Sequence, residues 1–143
     1  MLKKRVIMID NDPFSLAVLH RLLSEMGYEP LIGSTPDAAN ALLAGKLPDA
    51  IVYNQDLDAE WGIALLDRLR RTPRTEAVPV ILLTQTTRRF ESRIEGTDDS
   101  MVRFRKPIAI EPFVALFRSL VEGRPDPLRL AGHFGFPESD RMS

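Results

Sequence analysis

Ala50-Ile51-Val52-Tyr53-Asn54 decides how the chain is read. Four apolar residues in succession suit a strand covered on both faces. The fifth, Asn54, ends that strand on an amide. In an open α/β sheet the carboxyl ends of the strands are where ligands and chemistry gather. What an amide can do there governs the functional reading.

The flanking sequence supplies the rest of such a sheet. Val6-Ile7-Met8-Ile9 predicts a first buried strand leading into Asp10-Asn11-Asp12-Pro13, where Asp12 suits an N-cap and Pro13 a first helical residue. Leu16, Leu19, Leu22, Leu23 and Met26 give a helix over Phe14 to Met26 one apolar face, and Gly27 stops it. Tyr28 to Ile32 predicts a second, less apolar strand. Thr35-Pro36-Asp37 opens a second helix that Gly45 closes. After Asn54, Gln55 to Glu60 reads as a polar loop. Gly62 stands near the start of a helix carrying Ile63, Leu65, Leu66 and Leu69. Pro79 to Leu83 is the fourth strand and ends at Thr84. Residues 85 to 100 are polar, and a short or mobile helix is expected there. Met101 to Phe104 is a short fifth strand before Lys106-Pro107. The last helix runs from about Ile110 to Glu122, with Phe113, Leu116, Phe117 and Leu120 inward.

Five strands alternating with five helices argue for a parallel sheet covered on both faces. Right-handed crossovers leave few topologies, and the flavodoxin-like (βα)5 doubly wound sheet, strand order 2-1-3-4-5, is the common one. This domain spans residues 1–123. From Arg124 the pattern breaks at Pro125, Pro127, Gly132, Gly135 and Pro137, so 124–143 is expected to be a tail without regular structure.

Bulk properties exclude several classes. The formal net charge of -1 gives no whole-molecule argument for nucleic acid or membrane binding. The chain has no cysteine, which removes disulfides, thiolate metal sites and cysteine nucleophiles. The run Val6 to Ile9 is too short for a signal peptide, and no apolar run approaches the roughly 18 residues of a membrane helix. A cytoplasmic location is the expectation.

The predicted topology gathers Asp10, Asn11, Asn54, Thr84 and Lys106 at one sheet edge. With the acidic turn at 9–13, Gly62 eight residues after Asn54, Pro79 to Thr84, and Lys106-Pro107, the chain resembles a response-regulator receiver domain (CheY-like) of two-component signalling over about residues 4 to 122. In such a domain Mg²⁺ lies between two acids after strand one and a phosphoacceptor aspartate after strand three. The metal, a threonine hydroxyl and a lysine stabilise the transferred phosphoryl group. The resemblance assigns Asp10 as the first acid, Thr84 as the hydroxyl and Lys106 as the lysine. It also implies a cis Lys106-Pro107 bond, although sequence alone favours trans.

Two positions depart from that pattern. Asn11 replaces the second acid and Asn54 the phosphoacceptor. An amide oxygen is a poor nucleophile, and a pocket left with Asp10 against Lys106 should hold Mg²⁺ weakly or not at all. The expectation is a degenerate, phosphorylation-independent pseudo-receiver with no cofactor and no enzymatic activity. One alternative shifts the acceptor to Asp56, in the loop beyond the strand. A bland reading makes Asp10 and Lys106 a partly buried ion pair, Thr84 a loop cap and Asn54 a turn former.

A third departure is Arg103, three positions before the lysine, where a switching receiver carries an aromatic. The expected interaction face joins residues 86–98, Arg103 and the last helix with Phe117. The expected partner is a signalling protein (a kinase, regulator or effector domain), and a homodimer through the last helix also fits. Arg70, Arg71, Arg74, Arg88, Arg89 and Arg93 motivate a second hypothesis, an arginine-lined sensor of a phosphate-bearing ligand such as a cyclic dinucleotide. Their bland reading is a solvated face with local acid partners. No helix-turn-helix signal supports DNA binding.

Overall fold

The computed structural model describes residues 3–62, 64–84 and 101–123. Its element order is β1 (Arg5–Ile9), α1 (Pro13–Glu25), β2 (Glu29–Gly33), α2 (Pro36–Ala44), β3 (Ala50–Asn54), α3 (Leu57–Trp61), α4 (Leu65–Arg71), β4 (Val80–Thr84), β5 (Met101–Arg105) and α5 (Ile110–Glu122). The five strands form one parallel sheet in the order β2-β1-β3-β4-β5. The doubly wound topology expected from the alternation is therefore present.

Period-two alternation divides each central strand between two layers. Val6, Met8, Ala50, Val52, Ile81, Leu83, Val102 and Phe104 pack against Leu19 and Leu23 of α1 and Phe113, Leu116 and Phe117 of α5. Ile7, Ile9, Ile51, Tyr53, Val80 and Leu82 face Ala39 and Leu43 of α2, Leu57 of α3, and Leu65 and Leu69 of α4. The apolar run of β3 is needed because both its faces are buried.

Local signals set the helix entries. Asp12 caps α1 by accepting from the Phe14 N–H at 3.2 Å and from the Ser15 hydroxyl at 2.7 Å. Thr35 caps α2 by accepting from the Ala38 N–H at 3.1 Å. Gly33 lets the end of β2 lie against α2, since a Cβ there would fall 2.9 Å from the Ala39 Cα.

The segment after β3 differs from its expectation. Leu57–Trp61, read as part of a polar loop, is a short helix, and Gly62 ends it rather than opening the next one. Gly62 has φ 67°, a left-handed conformation suited to a helix stop. The buried Leu57 anchors α3 to the sheet, which a polar average over the segment conceals. The ordered start of α4 lacks a side-chain cap from Ala64. Asp58 supplies one from across the turn, accepting from the Leu65 N–H at 3.3 Å and from the buried Tyr53 hydroxyl. The expected helix over 86–98 and the tail lie outside the described residues.

Candidate functional site

The carboxyl ends of β1, β3, β4 and β5 bring Asp10, Asn54, Thr84 and Lys106 together, all four buried. Asp10 is the hub. Its Oδ1 accepts from the Asn11 N–H at 2.8 Å, the Asp12 N–H at 3.1 Å and the Asn54 Nδ2 at 3.0 Å. Its Oδ2 accepts from the Lys106 Nζ at 2.9 Å. A buried carboxylate is tolerated only when paired and hydrogen-bonded, and this one is both.

The amide of Asn54 is oriented by chemistry. Its Nδ2 can only donate, to Asp10, and its Oδ1 accepts from the Asp56 N–H at 3.0 Å. Asn11 is exposed, and its Nδ2 donates to Glu60 Oε2 at 2.9 Å, linking the turn after β1 to α3. The Thr84 hydroxyl donates to Asp56 Oδ1 at 2.9 Å. The lysine and the hydroxyl, expected to converge on one acceptor, thus contact two different carboxylates: Lys106 is on Asp10, and Thr84 is on Asp56. The Lys106-Pro107 bond is cis.

Two charged groups beside the cleft are shifted. Asp12 is held below the ordinary value of 3.8 chiefly by the Ser15 hydroxyl; burial opposes this, and the Phe14 N–H and the charge of Lys106 add to the lowering. Asp58 is pushed above 3.8 by burial, opposed by the Leu65 N–H. Among the described residues, no three histidine, cysteine, aspartate or glutamate side chains converge as a metal-binding set.

The outlying candidates fall elsewhere. Phe117 is fully buried, its ring 5.7 Å from Phe113 and 5.1 Å from Tyr28, so it is a core residue and not part of a contact face. Arg103 is half-buried on β5, on the sheet face opposite Val102 and Phe104. Arg70 and Arg74 lie at the opposite edge of the sheet and engage backbone carbonyls. Arg70 Nη1 donates to the Glu76 carbonyl at 2.7 Å and the Val78 carbonyl at 3.3 Å. Arg74 Nη1 donates to the Leu43 carbonyl at 2.6 Å, and its Nη2 to that of Gly45. Arg71 pairs with Asp67 at 3.2 Å along α4. Arg88, Arg89 and Arg93 lie outside the described residues. Sequence reading missed Glu60, Asp58 and the Thr84–Asp56 contact. All three depend on the turn that α3 makes, which no spacing rule encoded.

The fold is matched in known proteins. Residues 6–118 match the response regulator receiver domain. The chain belongs to that family. It is 30% identical over 145 residues to the phosphate regulon transcriptional regulatory protein PhoB of Rhizobium meliloti (strain 1021), covering 99% of this chain and 62% of that protein. It is 29% identical to the transcriptional regulator RpaA of Synechocystis, and spans 48% of that protein's length. Among solved structures, the receiver domain of a sensor histidine kinase from Pseudomonas aeruginosa PAO1, with a magnesium ion in its active-site cleft, aligns with a TM-score of 0.71. Its identity is 16%, and the alignment covers 84% of this chain and 98% of that domain. A signal receiver domain from Colwellia psychrerythraea 34H aligns with a TM-score of 0.68 and 21% identity, over 84% of this chain and 99% of that one. The chain is thus a receiver domain of two-component signalling. Among the described residues no helix is long and apolar enough to cross a membrane.

Proposed function

We propose that this receiver acts without phosphorylation, as a protein-interaction module whose partner is a kinase, regulator or effector domain. The observation that carries the reading is Asn54. The residue at the end of β3 is an amide whose nitrogen donates to Asp10, 3.0 Å away, and whose oxygen is occupied by the Asp56 N–H. A neutral amide oxygen lacks the negative charge that makes a carboxylate oxygen an attacking nucleophile.

The donor set does not fit Mg²⁺. A hard divalent cation takes anionic oxygens in near-octahedral geometry. Among the described residues Asp10 is the one buried carboxylate of the cleft, and it meets four hydrogen-bond donors, including the Lys106 ammonium. The Asn54 NH₂ presents protons toward Asp10, where a cation would require lone pairs.

A second reading rests on the 2.9 Å contact from the Thr84 hydroxyl to Asp56. Asp56 is exposed and anionic, and it holds the hydroxyl that the family places at the phosphoryl group. On that reading Asp56 is the acceptor. Incubation with acetyl phosphate and MgCl₂ followed by intact-mass measurement separates the two. No phosphate adduct is the expected result. An adduct lost in Asp56→Asn would replace the first reading with the second.

A further inference from the structure

The cleft poses a problem that its amides solve. Three segments meet at its mouth: the turn after β1, the end of β3, and α3. Each brings a carboxylate: Asp10 from the first, Asp56 just after the second, and Glu60 from the third. Like charges drawn to one edge repel, and a divalent cation is one way to hold such segments together. In this chain Lys106 supplies the counter-charge to Asp10 at 2.9 Å, and two amides tie the segments. Asn54 Nδ2 bridges β3 to Asp10 at 3.0 Å, and Asn11 Nδ2 bridges the β1 turn to Glu60 at 2.9 Å.

We propose that Asn11 and Asn54 are positioning residues that take the structural place of a divalent cation, closing the cleft by amide donation so that the fold needs no metal. This inference rests on the phosphorylation-independent reading above and adds a role for the two residues that distinguish the chain.

The requirement at Asn54 is specific. The position must donate on one side and accept on the other, because Asp10 can only accept and the Asp56 N–H can only donate. Asparagine does both at this length. Aspartate keeps the acceptor and loses the donor, and it sets a second buried carboxylate against Asp10. Leucine loses both bonds. At Asn11 one bond is involved and both partners are exposed, so the effect there is smaller. The Asn11–Glu60 bond can also be reversed: in the pair Asn11→Asp, Glu60→Gln the donor and acceptor change sides.

The test is thermal unfolding of the full chain in EDTA and in millimolar MgCl₂, with KCl matching the ionic strength. The wild type should melt at the same temperature in both. Asn54→Asp should melt several degrees lower in EDTA and recover in MgCl₂. Asn54→Leu should melt lower in both, with no recovery. Asn11→Asp should show a smaller loss, restored by Glu60→Gln in the double variant. If Asn54→Asp has no stable fold in EDTA, recovery of a cooperative transition in MgCl₂ is the same result in stronger form. A wild type stabilised by MgCl₂ beyond the KCl control would overturn the inference. So would an Asn54→Asp variant as stable as wild type in EDTA. A phosphate adduct on the wild type with this melting pattern intact would remove the functional reading and leave the structural role standing.

Discussion

Lys106 Nζ lies 2.9 Å from Asp10 Oδ2, joining β5 to β1 across two intervening strands. Both side chains are more than nine-tenths buried. The pair spans the sheet edge as a buried tie, and such ties are asymmetric in energy. Breaking one strands a charge, while replacing both partners is often close to neutral.

Lys106→Met should therefore cost about 3–5 kcal/mol of unfolding free energy, because Asp10 keeps its burial and loses its counter-charge. The double variant Asp10→Asn, Lys106→Met should recover much of that loss. Urea unfolding of the wild type, the single and the double variants measures this. Equal destabilisation in the single and double variants would contradict a charge-compensation role.

Asp12 and Asp58 should give stability opposite pH dependences. Asp12 has its folded-state pKa lowered from 3.8, so its contribution is present above that value and is lost as pH falls through the lower folded pKa. Asp58 has its folded-state pKa raised from 3.8, so its contribution is full below 3.8 and is lost as pH rises through the higher folded pKa. In Asp12→Asn the acid-side loss should shrink. In Asp58→Asn the decline above 3.8 should flatten. Unfolding curves collected across the acid range check both signs, and a matching slope change in the two variants would contradict the assignment.

Phe117→Ala should cost about 3–5 kcal/mol, the range for truncating a fully buried aromatic. Its ring is held between Phe113 and Tyr28, joining α5 to the turn that enters β2. The variant should lose partner binding only in proportion to its loss of folded population. A binding defect at full foldedness, shown by an unchanged near-ultraviolet circular dichroism spectrum, would return Phe117 to a contact role.

Gly33→Ala should destabilise by about 1–3 kcal/mol through overpacking. The new methyl would sit 2.9 Å from the Ala39 Cα, and backbone cannot step aside as a flexible side chain can. At exposed Gly45 the nearest atom to an added Cβ is 3.6 Å away, an ordinary contact, so Gly45→Ala is the control. A Gly33→Ala variant no less stable than Gly45→Ala would show that β2 and α2 separate at little cost.

The fold was legible because its signals are local. The apolar quartets of β1 and β3, the caps Asp12 and Thr35, and the stops Gly27 and Gly45 each act within a few residues of themselves. Asp10, Asn54, Thr84 and Lys106 followed from them, since strand ends in a parallel sheet converge whatever their side chains. What the sequence concealed is non-local. Leu57 is one apolar residue in a polar stretch, and the helix it anchors appears only once the sheet beneath it exists. That helix carries Asp58 and Glu60, so the Tyr53–Asp58 and Asn11–Glu60 contacts were hidden with it. Phe117 shows the converse limit. Helical spacing placed it inward, and assigning it also to a contact face conflicted with that periodicity.

Arg74 offers a test that separates scaffold from ligand site. Its guanidinium donates to the Leu43 and Gly45 carbonyls, closing the end of α2 over the loop that enters β4. Two carbonyls suit a fork with several fixed donors, and an ammonium cannot reproduce that geometry. Arg74→Lys and Arg74→Ala should both lower stability, each by about 1 kcal/mol, since the side chain is largely solvated. An arginine reserved for a phosphate-bearing ligand behaves differently: its loss leaves the free protein's stability unchanged and abolishes binding heat. Calorimetry with cyclic dinucleotides, run beside urea unfolding of the same variants, distinguishes the two. The expected outcome is a stability loss with no Arg74-dependent heat.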